Sequence, residues 1–376
     1  MLGILGVLIF GIEQGEGRES DVLPAPTDRH CGINPEVSEE AQESFRLGLE
    51  AARSLTPDGF RRAAEHFDRA TEHAPHFSLA YTTLADALIN LSYFPGADRA
   101  ELSRRARTAV QEALALDPTL PSSHLIRGIV RLFLDWDLDG AEGDFWRAIQ
   151  LDPGYAQAHE RYALVLVAKG QYAAAEVRLR HAVELAPKNL SYVMNLADLL
   201  ILTDRPDQAL EILGVEGWEP PLIHHGWLTR SHALTALGRD LEACDAELEY
   251  LKRALPNLQL QPFRDACDDG GPAALHALWL DALGDSTNLL LRAAFSAELG
   301  RTEAALAFLW QMHRERDPLL IWNARNPRFG ALEEHPEYQR LLESIRPFDP
   351  GDPASIPATS HPSWAVRAPL PLSTEG

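Results

Sequence analysis

A spacing of about 34 residues recurs along this chain and constrains its fold more than any other feature. Between Pro153 and Pro187, 34 positions apart, lie Tyr162, Ala163, Leu166, Gly170, Tyr172, Ala175, Leu179 and Ala182. The large residues fill the space between two antiparallel helices, and the small ones let the two backbones approach. The closing proline stops the second helix, because it lacks an amide hydrogen and disfavours helical geometry in the residue before it. A helix pair of this size cannot bury its apolar face alone, so the period predicts a stack of such pairs.

The same grid fits backward with modest insertions. Ala141, Phe145, Ala148 and Pro153 close a unit whose first helix carries Gly128. Ala106, Val110, Ala113 and Pro118 close another, opened by Tyr81, Leu84 and Ala85, with an extra loop around Ser92 to Asp98. Ala63, Phe67, Ala70 and Pro75 close the first, whose opening helix holds Gly48. Forward, Leu196, Ala197, Leu200, Ala209, Leu213 and Pro221 fit, although Gly214 and Gly217 shorten the second helix. Trp227, Leu234, Gly238 and Ala243 place a sixth unit, in which Glu247 and Tyr250 stand where a large apolar and a small residue belong. Residues 257–271, with Pro262, Cys267, Gly270 and Gly271, read as an irregular connection before a helix near Ala273 to Leu283. Leu289 to Leu299, Gly300, Ala305, Leu309 and Met312 then restore the pattern, and short helices begin at Asn326-Pro327 and His335-Pro336.

The expected fold is therefore all-α, an antiparallel helix-pair solenoid of six or seven pairs in a right-handed superhelix. Residues 1–40 are expected to form an apolar segment and linker, 41–256 an array of about six repeats, and 257–345 the irregular connection, a further pair and capping helices. Residues 346–376 form a Pro-rich tail with no apolar period, expected to be disordered. With 45% apolar residues the chain can bury a substantial core as a soluble fold. The 55 acidic side chains against 34 basic ones, net −21, repel a phosphate backbone, which argues against nucleic acid as a partner.

Cys31, Cys244 and Cys267 fall in no Cys-x-x-Cys pair and have no histidine at zinc spacing, which favours a reducing compartment and idle thiols over a Cys244–Cys267 disulfide. The apolar run Leu2 to Ile12 is shorter than the roughly 17–25 residues of a membrane span and lacks the positive start of a secretory signal. A cytoplasmic chain is the expectation, with a membrane tether or export through that segment as the alternative.

The grid resembles the tetratricopeptide repeat. The strings Leu116-Asp117-Pro118, Leu132 to Asp137 and Ile149 to Ala156, with the ending Arg316 to Trp322, Asn326 to Phe329 and His335 to Tyr338, resemble the C-terminal tetratricopeptide array of bacterial multidomain signalling and transcription regulators. There the array follows a winged-helix, kinase or cyclase domain, often in a TolB-like context. The resemblance covers about residues 41–345 and leaves no room before it for such an output domain, so those activities do not carry over. It implies an interaction or sensing module.

No Gly-rich phosphate loop, His-Glu-x-x-His, Gly-x-Ser-x-Gly or paired zinc cysteines occur, so no enzyme activity, cofactor or metal is expected. His224, His225 and His232 form the nearest thing to a metal cluster, but His225 and His232 are seven residues apart, about 10 Å along a helix. Asp265, Asp268 and Asp269 beside Gly270 and Gly271 do not match a twelve-residue calcium loop and read equally as an acidic turn. A weaker alternative is an enzyme cleft among Asp265, Cys267 and His276. Trp136, between Asp135 and Asp137, is expected to set its ring on the core.

In arrays of the resembled type the second, fifth, ninth and twelfth positions of each first helix face the concave groove. That rule selects Leu125, Ile129, Leu132, Leu164, Val167, Met194, Ile201 and Leu228, flanked by Asp86, Glu160, Asp198, His225 and His232, the histidines adding a pH-sensitive element. The Lys, Asn and Arg that clamp chaperone termini are replaced here by Phe45, Leu49, Thr83, Ser122 and Ile126. The expected function is a non-enzymatic scaffold or adaptor that binds a protein or peptide with an apolar or amphipathic segment and some basic residues. The alternative is a sensory or regulatory subunit acting on a separately encoded bacterial output protein.

Overall fold

A computed structural model describes residues 37–94, 97–214, 224–254, 258–283, 289–317 and 319–345. The expectations for Leu2 to Ile12, Cys31 and the tail from 346 onward lie outside the described residues. Six helix hairpins follow in order: α1 (Glu39–Ala52) and α2 (Pro57–His73), α3 (Ser78–Ser92) and α4 (Arg99–Leu116), α5 (Pro121–Ile129) and α6 (Leu138–Leu151). Then come α7 (Ala156–Ala168) and α8 (Tyr172–Leu185), α9 (Leu190–Leu202) and α10 (Pro206–Leu213), α11 (His224–Ala236) and α12 (Asp240–Ala254). A kinked helix α13 (Gln261–Leu283) precedes a further hairpin, α14 (Leu289–Glu298) and α15 (Thr302–Arg314). The chain finishes with α16 (Leu319–Asn323), a 3₁₀ turn (Pro327–Leu332) and α17 (Pro336–Ser344). From α1 to α15 each helix packs on the next, the arrangement a stack of hairpins requires.

The turn inside each hairpin shows the period in the backbone. Trp136, Gly170, Asp204 and Gly238, spaced 34 residues apart, all adopt the left-handed conformation, with φ of 57°, 73°, 58° and 68°. Each ends a first helix, and the next amide reaches back to a carbonyl of the last turn: Gln171 N to Leu166 O at 2.8 Å, Arg205 N to Leu200 O at 2.8 Å, Arg239 N to Leu234 O at 2.9 Å. In the third hairpin the bond runs from Asp137 N to Arg131 O, one residue further back, and Val130–Asp135 form a π turn. One inserted residue is absorbed by widening the helix instead of breaking it.

Second helices end on a shared device. Asp117 and Asp152 accept from the amides of Thr119 and Gly154 two residues on, at 2.8 and 3.0 Å. His124 and His159, each six residues past the proline, hydrogen-bond the carbonyls of Pro118 and Pro153 at 2.9 and 3.0 Å through Nε2. Inside the hairpins Gly48 and Gly128 lie under phenylalanine rings. A Cβ on either would stand 2.4 Å from a ring carbon of Phe67 or Phe145, so the helices could not remain this close.

Two expectations are corrected. The connection before Ala273 is helical from Gln261, with Pro262 in its first turn, and breaks only at Gly270 and Gly271, the latter at φ 64°, before Pro272 restarts it. Cys244 on α12 and Cys267 on α13, expected as idle thiols, are joined as a disulfide with Cα atoms 6.1 Å apart. Burial brings them together: both are in the core that also holds Tyr250, Phe263, Trp279 and Phe295.

The array also curls back on itself. One continuous core contains Phe45 to Val165 of the first four hairpins and, resuming far along the chain, Leu289 to Leu341. Helix α16 packs on α7, which no nearest-neighbour stack provides.

Candidate functional site

The concave face divides into two parts. In the third repeat Leu125, Ile129 and Leu132 are each 1% exposed and belong to the continuous core. The repeat rule places them in an open groove; the structure buries them in a core that also holds Leu319, Leu320 and Ile321 of α16. Further along, Leu164, Met194 and Leu228 are buried, Val167, Ile201 and His232 half-buried, and Asp198 exposed. Val167 and Ile201 are one 34-residue period apart, as are Leu164, Asp198 and His232, so α7, α9 and α11 set them in register. The side chains of His224 and His225 lie outside the described residues.

Carboxylates line this face. Asp86, buried on α3, accepts from Asn90 Nδ2 at 3.2 Å; burial pushes its carboxyl up to about 7, against the opposing pull of Arg161. Glu160, buried on α7, accepts from Asn195 Nδ2 at 2.8 Å and pairs with Arg161 at 3.3 Å, and burial raises its pKa in spite of both. Asp198 is exposed, and desolvation by the residues around it raises it to about 6, a bond with Thr229 opposing. Carboxyls of this kind favour a cation nearby, since an approaching positive charge recovers the solvation the walls remove.

The residues that suggest an enzyme cleft do not converge on an open site. Cys267 is bonded to Cys244, and Asp265 is exposed and accepts from Gln261 at 2.7 Å. His276 is buried between Glu247, at 2.8 Å through Nε2, and Glu298, at 3.0 Å through Nδ1. Arg328 in turn binds Glu298 at 2.5 and 2.7 Å, and Ser231 donates to Glu247 at 2.7 Å. Among the described residues no group of three or more His, Cys, Asp or Glu could hold a metal ion. The sequence signal for this network was Glu247, a charge standing where the grid demands a large apolar residue.

Residues 166–215 match the tetratricopeptide repeat family profile. That stretch carries the last three residues of α7 and the whole of α8, α9 and α10, and the left-handed turn residues continue its 34-residue register on either side. The array is of the tetratricopeptide type. No curated protein sequence matches the chain. Among solved structures, PilF of Pseudomonas aeruginosa is similar at 18% identity, covering 58% of this chain and 94% of its own, TM-score 0.46. PilW, described as a type IV pilus biogenesis factor, is similar at 18% identity over 59% of this chain and 96% of its own, TM-score 0.49. A tetratricopeptide protein of Thermus thermophilus is similar at 20% identity over 57% of this chain and 99% of its own, TM-score 0.41. The profile match and the backbone register carry the tetratricopeptide identity; none of these matches extends to the bacterial multidomain regulators that the ending of the sequence resembles. No described helix of the array is long and apolar enough to cross a membrane.

Proposed function

We propose that this tetratricopeptide array is a non-enzymatic scaffold that holds a segment of another protein on the concave surface of repeats four to six. The observation that carries the reading is the change of exposure along one face. Leu132 is sealed in the third repeat, whereas its equivalents Val167 and Ile201 are half-buried, and with the exposed Asp198 and the half-buried His232 they form a stripe across α7, α9 and α11. A helical or extended segment would lay apolar side chains on Val167 and Ile201 and place a lysine or arginine at Asp198. The net charge of −21 attracts a basic partner over distances longer than a contact.

Selection of displayed random peptides on the full chain tests this. Enriched peptides should combine apolar residues at helical spacing with at least one Lys or Arg, and the double substitution Asp198→Lys/Ile201→Glu should weaken their binding at least about tenfold, the equivalent of about 1.4 kcal/mol. Equal binding to the substituted chain, or no enrichment on the native one, would overturn the reading.

A further inference from the structure

We propose that Arg316, Asp317 and Leu319–Asn323 are a built-in ligand of this array: they dock across repeats two and three and against α7, and leave the stripe of Val167, Ile201, Asp198 and His232 as the part of the face open to other proteins. The inference goes beyond the open-groove reading and does not depend on it.

The first support is a comparison of equivalent positions. Ile129 in repeat three and Leu164 and Asp198 in the next two share one place in the repeat, as do Leu132, Val167 and Ile201. Apolar residues occupy most of these places, so composition does not explain why Leu132 is 1% exposed while Val167 and Ile201 remain accessible. What differs is the cover. Leu319, Leu320 and Ile321 are buried in one core with Leu125, Ile129, Leu132 and Phe133, and α16 rests on α7.

The second support is the anchor at the edge of this cover. Trp136, fully buried at the end of the π turn, has the Arg316 guanidinium 4.6 Å above its ring and the edge of His313 at 5.6 Å. A cation stacked on a buried indole is a directional contact that fixes how the following residues enter. From there Asp317 caps the start of α16 by accepting from Leu319 N at 2.9 Å, and Leu320 and Ile321 then reach the core. The segment reads as a short peptide motif, an arginine for the indole followed by an aliphatic triplet for the groove.

The closure explains why the end of the chain follows the grid poorly. After α15 the chain stops adding a full hairpin to the stack and runs instead across the inside of the earlier repeats.

The experiment uses the full chain and hydrogen exchange followed by mass spectrometry. Arg316→Ala, and separately Leu320→Ser/Ile321→Ser, should speed amide exchange at least about tenfold in residues 121–135 and leave residues 190–213 unchanged. An excess of a synthetic peptide with the sequence of residues 313–325 should restore the slow exchange. Unchanged exchange in residues 121–135, faster exchange spread equally over both regions, or failure of the peptide to restore protection would each overturn the proposal. Arg316→Ala removes no apolar core residue, so it keeps the test decisive if the double serine variant does not fold. None of these readouts involves a peptide on repeats four to six, so failure here is distinct from failure of the open-groove reading.

Discussion

A left-handed residue ends the first helix in most of the hairpins, yet the residue that fills it varies from Gly170 and Gly238 to Asp204 and Trp136. Glycine enters this conformation freely, whereas a side chain costs about 1–2 kcal/mol there. Trp136 occupies it because its ring is completely buried and stacked by Arg316, which offsets that cost. Burial also governs Asp86. Its folded pKa of about 7 exceeds the unfolded value of about 3.9, so its contribution to stability is full below the unfolded value and is lost as pH rises through 7. Asp86→Asn should therefore stabilise the chain relative to the native protein above pH ~7, by on the order of 2–4 kcal/mol, and lose that advantage near pH ~4. Parallel urea unfolding curves of both chains across this range are the check; an unchanged difference would remove the assignment. The place of Asp86 in the repeat was legible from the sequence. Its protonation was not, because that depends on what lies over it.

Among the elements, the helix boundaries were largely written in local chemistry: prolines closing second helices, Gly214 cutting α10 short, and Pro327 and Pro336 opening the last turns. The segment around Cys267 has the composition of a loop because glycine pairs and proline signal one, whereas here they mark only the kink of a helix that tertiary packing sustains. The misfit at Glu247 is resolved by residues from other elements. Glu247, His276, Glu298 and Arg328 join α12, α13, α14 and the 3₁₀ turn into one network, buried at Glu247 and His276 and reaching the surface at Glu298. Burial alone would depress the imidazolium of His276, but Glu247 and Glu298 outweigh it and raise the group to about 9. With the folded value above the unfolded one of about 6.5, the stabilisation is complete below 6.5 and disappears as pH rises through 9. The stability difference between the native chain and His276→Gln should shrink by on the order of 2–3 kcal/mol between pH ~6 and ~10. A difference that does not vary with pH would mean that His276 is held neutral.

At the scale of the whole molecule, one long-range tie converts an open stack into a closed one, the core shared by the first and last hairpins, while the Cys244–Cys267 bond, across a separation of 23 residues, locks the successive helices α12 and α13 together. A loop of that length predicts about 3 kcal/mol of stabilisation from restricting the unfolded chain. Reducing agent should lower the urea midpoint of the native protein and leave a Cys267→Ser chain unaffected; equal response of the two would show that the bond contributes nothing. Such a bond persists in oxidising surroundings. The closure likewise revises the groove. Ile129 and Leu132 satisfied every sequence criterion for a binding face, yet they are buried in the core that the last helices share.

The period, the hairpin composition of the fold and the register of Val167, Asp198, Ile201 and His232 were determined by the sequence alone, because helix ends, small-residue contacts and proline stops act within about 34 residues of one another. Which stretch of the concave face is open, which thiols meet and which acids are desolvated were decided by the tertiary structure. Those properties depend on contacts between separate elements, 23 positions apart for Cys244 and Cys267 and more than a hundred apart for α7 and α16, and a repeating local pattern carries no information about where the chain will return.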